Sequence, residues 1–364
     1  GSASPPPRPA MTAARRLRAL AHHVAPARPD VPEGAVLRTQ PAAGGRPKVP
    51  YRVHVVCGDI MVVTDRLQFD HDVQYVNRKF LEWMDEYQGR KLVATVASDY
   101  SNLDRWLKHA QVLICYCSGP VADEANTAVL QSWLEAGGKM IGIHGTSGGF
   151  ARRVKEEEFK DAIYPGELHF NGNAPRQYVR KPFHETLGAF FMAHPPIHTF
   201  QVKVTDPQHP VTAGLPTDFW LEDELYLFEL QGDLKDYKIL LTTEYDILGV
   251  DMERSDFAYM KDFPWDPTRK IGELQALFRE KAPPKQSEMM LTRDPGERNS
   301  QHPSVGHRNN RVLAFERSVG KGGVVYIGVG HSVVGFPGRP GYKASWSNPT
   351  FEQLVKNAIA WAAA

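Results

Sequence analysis

From Tyr51 onward the chain alternates between blocks of strand-like and helix-like hydrophobic spacing. The segment "YRVHVVCG" (51–58) reads as a strand. Residues 70–89, "DHDVQYVNRKFLEWMDEYQG", carry Val73, Val76, Phe80 and Met84 at helical spacing and end on a glycine, which predicts a capped helix. "KLVATVAS" predicts a second strand, "NLDRWLKHA" a short helix and "QVLICYC" a third strand. "VADEANTAVLQSWLEAGG" then predicts a helix with a glycine stop, running into the strand "KMIGIHG". Strands alternating with helices predict βαβ units and a parallel sheet covered on both faces. The last two of these strands are near-continuous apolar runs, as buried parallel strands are.

Beyond Phe150 the pattern breaks. "TFQVKVT" and "YKILLTTEYD" read as strands, with the mixed segment "FWLEDELYLFEL" between them. Residues 246–310 lose periodicity and are rich in Asp, Arg, Pro and Met, with one helix expected in "RKIGELQALFREK". So long a stretch between two strands predicts an excursion that shapes a site. Order returns with "NRVLAFERSVGKGGVVYIGVGHS", a hairpin-like strand pair around Gly320 and Gly322. A closing helix, "NPTFEQLVKNAIAWAAA", has Asn348 and Pro349 as N-cap and first helical residue. The expected organisation is a disordered arm over residues 1–50 and one domain over 51–364, with a long insertion at about 246–310.

Charge and composition narrow the partners. The net charge of +1 gives no electrostatic reason for a nucleic acid or a membrane surface. No window approaches the roughly 18 consecutive apolar residues of a membrane helix. The arginine-rich piece after Met11 lacks the apolar core of a secretory signal, so the cytoplasm is the expected location. Cys57, Cys115 and Cys117 lie in or beside strand-like runs and are expected as buried free thiols.

In open parallel sheets, ligands bind outside the carboxyl ends of the strands. At such ends fall His144 after "MIGI", His331 after "VVYIGVG", His194 at the end of "GAFFMAH", and Glu222, Asp223 and Glu224 in "LEDELY". His144 tops a glycine-rich turn of the kind that carries a Ser or Cys nucleophile in several α/β enzymes. That turn has no Cys, and Ser147 lies beyond its tip. The first strand continues "CGDIMVVTD", without a G-x-G-x-x-G fingerprint, and no phosphate-binding G-x-x-x-x-G-K-[ST] loop occurs, so no nucleotide cofactor is expected. Imidazole with carboxylate remains. That pairing serves acid–base catalysis near neutral pH or binds a divalent ion such as zinc or manganese. Other histidines, His71 among them, lack this strand-end context and receive no role.

The segments "GKMIGIHG", "GAFFMAHPPIHTFQVKVTDPQHPVTAGLPTDFWLEDELY" and "GKGGVVYIGVGHS", with "NPTFEQLVKNAIAWAA", together resemble the ThuA-like (trehalose utilisation) family over about residues 51–245 and 311–364. The resemblance implies an α/β fold of the flavodoxin-like, class I glutamine amidotransferase-like kind, a parallel sheet with helices on both faces. Amidotransferases carry G-x-C-x-G at the elbow; here it reads Gly142, Ile143, His144, Gly145, Thr146. Their catalytic histidine follows a late strand, in a place similar to that of His331. Without the cysteine, glutaminase activity is excluded. The resemblance implies instead a carbohydrate enzyme of isomerase, lyase or hydrolase type, acting on a keto-sugar or glycoside of the 3-keto-disaccharide class. His144, Glu224 and His331 are the catalytic candidates, with His144 the base and Glu224 orienting it when no ion is bound. If a divalent ion is bound, its ligands are expected among His144, His194, Glu224 and His331. Glu222, Trp220, Tyr226 and Trp346 are expected around a hydroxyl-rich sugar, the expected small-molecule partner. Two alternatives stay open: a non-catalytic sugar-binding or regulatory module, and a metal-dependent hydrolase of a non-sugar substrate. A homo-oligomer is compatible with all three.

Overall fold

The computed structural model describes residues 49–59, 71–119, 121–149, 151–153, 168–171, 174–195, 197–245, 273, 289–291, 294–335 and 340–364. The expected N-terminal arm lies outside them but for its last two residues, as does the helix expected over 269–281 apart from Glu273.

Five parallel strands form half of the central sheet. β1 (Tyr51–Gly58) pairs with β3 (Arg90–Ala97) on one side and β4 (Val112–Cys117) on the other. β4 pairs with β5 (Lys139–Ile143), and β5 with β16 (Gly322–Ile327). Numbered by chain order among themselves, these five lie 2-1-3-4-5. Alternation along β4 explains the cover on both faces. Val112, Ile114 and Tyr116 join a core with α1 (Val73–Trp83) and α6 (Pro349–Ala363). Leu113, Cys115 and Cys117 face the other way, into a core with α2 (Leu103–Trp106), α3 (Glu124–Glu135) and α4 (Pro182–Leu187). The three cysteines are buried and none is in a disulfide.

Two sequence expectations need correction. The helix expected over 70–89 ends at Trp83, because Glu86–Lys91 folds into a hairpin in which β2 (Glu86–Tyr87) pairs antiparallel with the start of β3. Gln88 (φ 50°) and Gly89 (φ 72°) supply its two-residue turn, so the glycine taken as a helix stop belongs to the hairpin. The sheet is also not parallel throughout. β15 (Asn310–Val319) turns directly into β16 through Gly320 and Lys321, a connection too short for a parallel crossover. From β15 outward, β13 (Tyr237–Glu244), β10 (His198–Val204) and β11 (Asp218–Asp223) continue antiparallel to the edge.

The mixed segment 219–230 is two strands, the end of β11 and then β12 (Leu227–Leu230), which pairs with β9 (Ala189–Ala193). A separate antiparallel sheet has the order β14 (Met289–Leu291), β7 (Leu168–Asn171), β8 (Ala174–Tyr178), β6 (Ala151–Arg153). Most of the 246–310 insertion lies outside the described residues, but its tail is tightly built in. On α5 (Pro295–Asn299), the Asn299 amide accepts from Leu230 N (2.9 Å) and donates to the Phe228 carbonyl (2.8 Å). Behind it, Asp294 pairs with Arg311 in the interior. Among the described residues, no helix is long and apolar enough to cross a membrane.

α4 is tied to the turn after β5 by a fully buried histidine. His184 Nδ1 accepts from Lys181 N (2.9 Å), which leaves Nε2–H to donate to the Gly148 carbonyl (2.5 Å). Acceptance at Nδ1 needs the neutral ring. Burial pushes the His184 imidazole below its usual value, only partly offset by the backbone hydrogen bonds. His54 and His331 are shifted the same way, again chiefly by burial. The unfolded chain therefore takes up protons below about pH 6.5 that the folded chain refuses, so stability is complete above that pH and declines below it. Unfolding free energies from urea denaturation should fall from pH 7 to pH 5, with a ceiling of about 1.4 kcal/mol per pH unit for each such histidine. A midpoint that rises on acidification would contradict the neutral assignment.

Candidate functional site

β5 ends at Ile143, and His144 opens the turn that follows with φ 45°, a left-handed conformation that costs a non-glycine residue about 1–3 kcal/mol. The surroundings impose it. The Thr146 hydroxyl accepts from Ile143 N (3.2 Å) and lies 2.8 Å from the Cys115 carbonyl, to which it donates. The Tyr326 hydroxyl donates to the His144 carbonyl (2.8 Å) and in turn accepts from Ser147. Gly145 is needed because a Cβ there would stand 2.7 Å from Cβ of Ser118. Such a strained elbow at a strand end presents its side chain above the sheet. His144 Nδ1 meets the Gly328 carbonyl at 3.1 Å, so Nδ1 carries the hydrogen and Nε2 offers its lone pair.

Beyond the end of β16, Gly330 (φ 120°) turns the chain so that His331 faces His144, with 3.2 Å between His331 Nδ1 and His144 Nε2. The turn is held from below by a buried carboxylate. Asp223 accepts from Gly330 N (2.8 Å), His331 N (3.0 Å), Glu224 N (2.6 Å) and the Ser345 hydroxyl. Burial raises the Asp223 carboxyl, against the pull of His144 and these donors. One side chain thus fastens the His331 turn to the strand end that carries Glu224.

Glu224 is the meeting point of three imidazoles. Its Oε2 lies 3.3 Å from His144 Nε2 and 3.4 Å from His331 Nδ1, and its Oε1 lies 3.0 Å from His194 Nδ1. Burial alone would raise its carboxyl, but His194, His331 and His144 outweigh that and hold it well below the ordinary range. Burial pushes His331 well below the usual imidazole value, a shift opposed by Glu224 and deepened by the other histidines. The pair at neutral pH is therefore a carboxylate beside a neutral imidazole. Tyr226 closes one side, its ring 3.8 Å from that of His144 and stacked on His194.

A fourth imidazole was not expected. His71, two residues before α1, packs edge-on against His144 and His331 at centroid distances of 5.4 and 5.1 Å. Asp59 holds it, accepting from His71 N (2.9 Å) and facing Nδ1 (3.3 Å). The signal was available, since Asp59 and His71 follow a parallel strand and so fall under the same strand-end rule that selected His144. Asp223 was within reach of sequence reasoning too, through the alternation of β11.

The structure thus gathers His144, His194, Glu224, His331 and Tyr226. It does not bring the other three expected residues to them. Trp220 and Glu222 lie on the outward side of β11, where Trp220 is 60% exposed, because Phe219, Leu221 and Asp223 take the inward positions. Trp346 is buried in the core behind the His331 turn, stacked on Trp83, with its indole N–H on the Gly330 carbonyl (2.6 Å). It supports the turn and is closed to a sugar. A cavity of about 550 Å³ between the starts of α3 and α4 is lined by Ala122, Asp123, Lys181 and Pro182 among others, but by none of the clustered residues.

Residues 59–362 match the model of a family described as "ThuA: Trehalose utilisation". The chain belongs to the ThuA family. Solved structures similar to this ThuA chain include a ThuA-like protein from Bacteroides uniformis ATCC 8492 (16% identity, 88% of this chain and 95% of that one, TM-score 0.48). Another is a ThuA-like protein from Parabacteroides merdae ATCC 43184 (15% identity, 86% and 90%, TM-score 0.46). A β-galactosidase from Bacillus circulans sp. alkalophilus also aligns (9% identity, 86% of this chain and 31% of that one, TM-score 0.40). No curated protein matches.

Proposed function

We propose that this ThuA chain is a carbohydrate-metabolism enzyme that moves a proton next to the carbonyl of a keto-sugar, with a 3-keto-disaccharide or related 3-keto-glycoside as substrate. The observation that carries the reading is the place of Glu224, 12% exposed at its side chain and in contact with three imidazoles at 3.0, 3.3 and 3.4 Å. A C–H beside a ketone loses its proton to a carboxylate, leaving an enediolate whose oxygen needs a proton or positive charge nearby. Glu224 takes that proton, and His331 and His194 exchange protons with Glu224 and the developing oxyanion. His144 is fully buried, with Nδ1 occupied by Gly328, so the base is Glu224 rather than His144 and His144 orients it. The 2-1-3-4-5 strand order and the strained elbow at His144 support a flavodoxin-like, amidotransferase-like fold whose nucleophile position has been given to an imidazole.

Incubation of the purified protein with 3-keto-trehalose and simple 3-keto-glucosides, followed by chromatography of the products, tests the reading. Conversion of at least one of them is expected. No conversion of any of them by folded protein would contradict it.

A further inference from the structure

The geometry points to a divalent transition-metal site, for an ion of the zinc or manganese kind, held by His71 Nε2, His144 Nε2 and His331 Nδ1 with Glu224 beside the open position. The inference deepens the proton-transfer reading and rests on it for its purpose, since such an ion would polarise the sugar carbonyl that Glu224 serves.

The first reason is spacing. Two nitrogens each about 2.0–2.1 Å from one zinc ion at the tetrahedral angle stand roughly 3.3–3.4 Å apart. His144 Nε2 and His331 Nδ1 are 3.2 Å apart, and donor atoms of all three histidines lie within 4.8 Å of one another. The second is an orphaned atom. His71 is 4% exposed, and its Nε2 is buried with no hydrogen-bond partner among the described residues. A buried polar atom left unpaired is costly, and this one belongs to a ring packed against the other two imidazoles. The third is the arrangement of lone pairs. With the hydrogen of His144 on Nδ1, its Nε2 lone pair faces the Glu224 carboxylate at 3.3 Å, two acceptors that a cation between them reconciles.

The outer contacts agree. Histidines that bind metals usually turn their second nitrogen to a carboxylate or a backbone carbonyl. His71 Nδ1 faces Asp59 Oδ1 at 3.3 Å and His144 Nδ1 faces the Gly328 carbonyl at 3.1 Å. His194 fits differently. It is a third exposed, and its Nδ1 is shared between Glu224 Oε1 and the Pro195 carbonyl (2.9 Å), which makes it a partner of the carboxylate and not a ligand. The ligand set expected from sequence is therefore revised, with His71 entering and His194 and Glu224 moving outside it.

The test uses the full chain, stripped with a chelator and titrated with Zn²⁺, Mn²⁺ and Co²⁺, with stoichiometry from elemental analysis and site geometry from the Co²⁺ visible spectrum. One ion per chain is expected. His71→Gln should weaken binding at least about 100-fold and Asp59→Asn about 10–100-fold, while His194→Gln stays within about threefold of wild type. Metal-free unfolding midpoints and near-UV circular dichroism check that each variant is folded, and His331→Gln gives a second ligand variant should His71→Gln misfold. Wild type that binds no ion stoichiometrically, a folded His71→Gln that binds as tightly as wild type, or a His194→Gln as impaired as His71→Gln would each overturn the site. Binding is read without sugar. Failure here leaves keto-sugar turnover to be judged separately, and tight binding by a protein that converts no keto-sugar keeps the site while removing the reading beneath it.

Discussion

Glu224→Gln should lower turnover of a converted 3-keto-glycoside by about 10²–10⁴-fold, the usual contribution of a positioned acid–base group. The amide keeps the shape of the side chain and loses the carboxylate that His144, His194 and His331 surround. The loss should fall on kcat with little change in KM, because the amide keeps the volume of the side chain and removes only the proton acceptor used in the transition state. Steady-state kinetics, with near-UV circular dichroism as the folding control, measure it. A variant within threefold of wild type would mean that Glu224 is not the proton acceptor.

Asp223→Ala should destabilise the protein by about 3–5 kcal/mol, the scale of removing one partner from a buried charged network. It leaves the N–H groups of Gly330 and His331 and the hydroxyl of Ser345 without their acceptor in a fully buried place. Each stranded donor costs about 1–3 kcal/mol, though local relaxation keeps the sum below simple addition. Asp223→Asn retains one acceptor oxygen and should fall between wild type and alanine. Urea denaturation of the three proteins checks the order. Equal midpoints for Asp223→Ala and wild type would show that the carboxylate does not clamp the His331 turn.

The parallel half of the sheet was legible because its strands are uninterrupted apolar runs separated by helices, a pattern with few other solutions. Strand direction beyond β16 is not encoded in that pattern. Only the short Gly320–Lys321 link announces the antiparallel half, and the hairpin was read without following it outward. Residues 84–89 misled because Met84 continues the helical spacing while the next residues form a tight hairpin, whose turn needs positive φ at Gln88 as well as Gly89. In the site, His144 and His331 were found by a rule about strand ends and His194 and Glu224 by family-like motif context, and the four do meet. His71 follows the same rule but sits at the start of α1, where Asp72 reads as a helix N-cap and draws attention from its neighbour. Trp220 and Glu222 were assigned without applying strand alternation, although Phe219 and Leu221 already fix which side of β11 is inward. The interior place of Trp346 depends on a long-range partner, the Gly330 carbonyl, that no local pattern reveals.

The central claim is that Glu224, within its ring of imidazoles, removes a proton beside a sugar ketone. Proton NMR of a 3-keto-glucoside in deuterated buffer follows that step directly, whatever product is later released. Wild-type protein should exchange the C–H next to the ketone for deuterium far faster than buffer, and Glu224→Gln should exchange it near the buffer rate. Equal exchange by the two proteins, or none above buffer with wild type, would contradict the account.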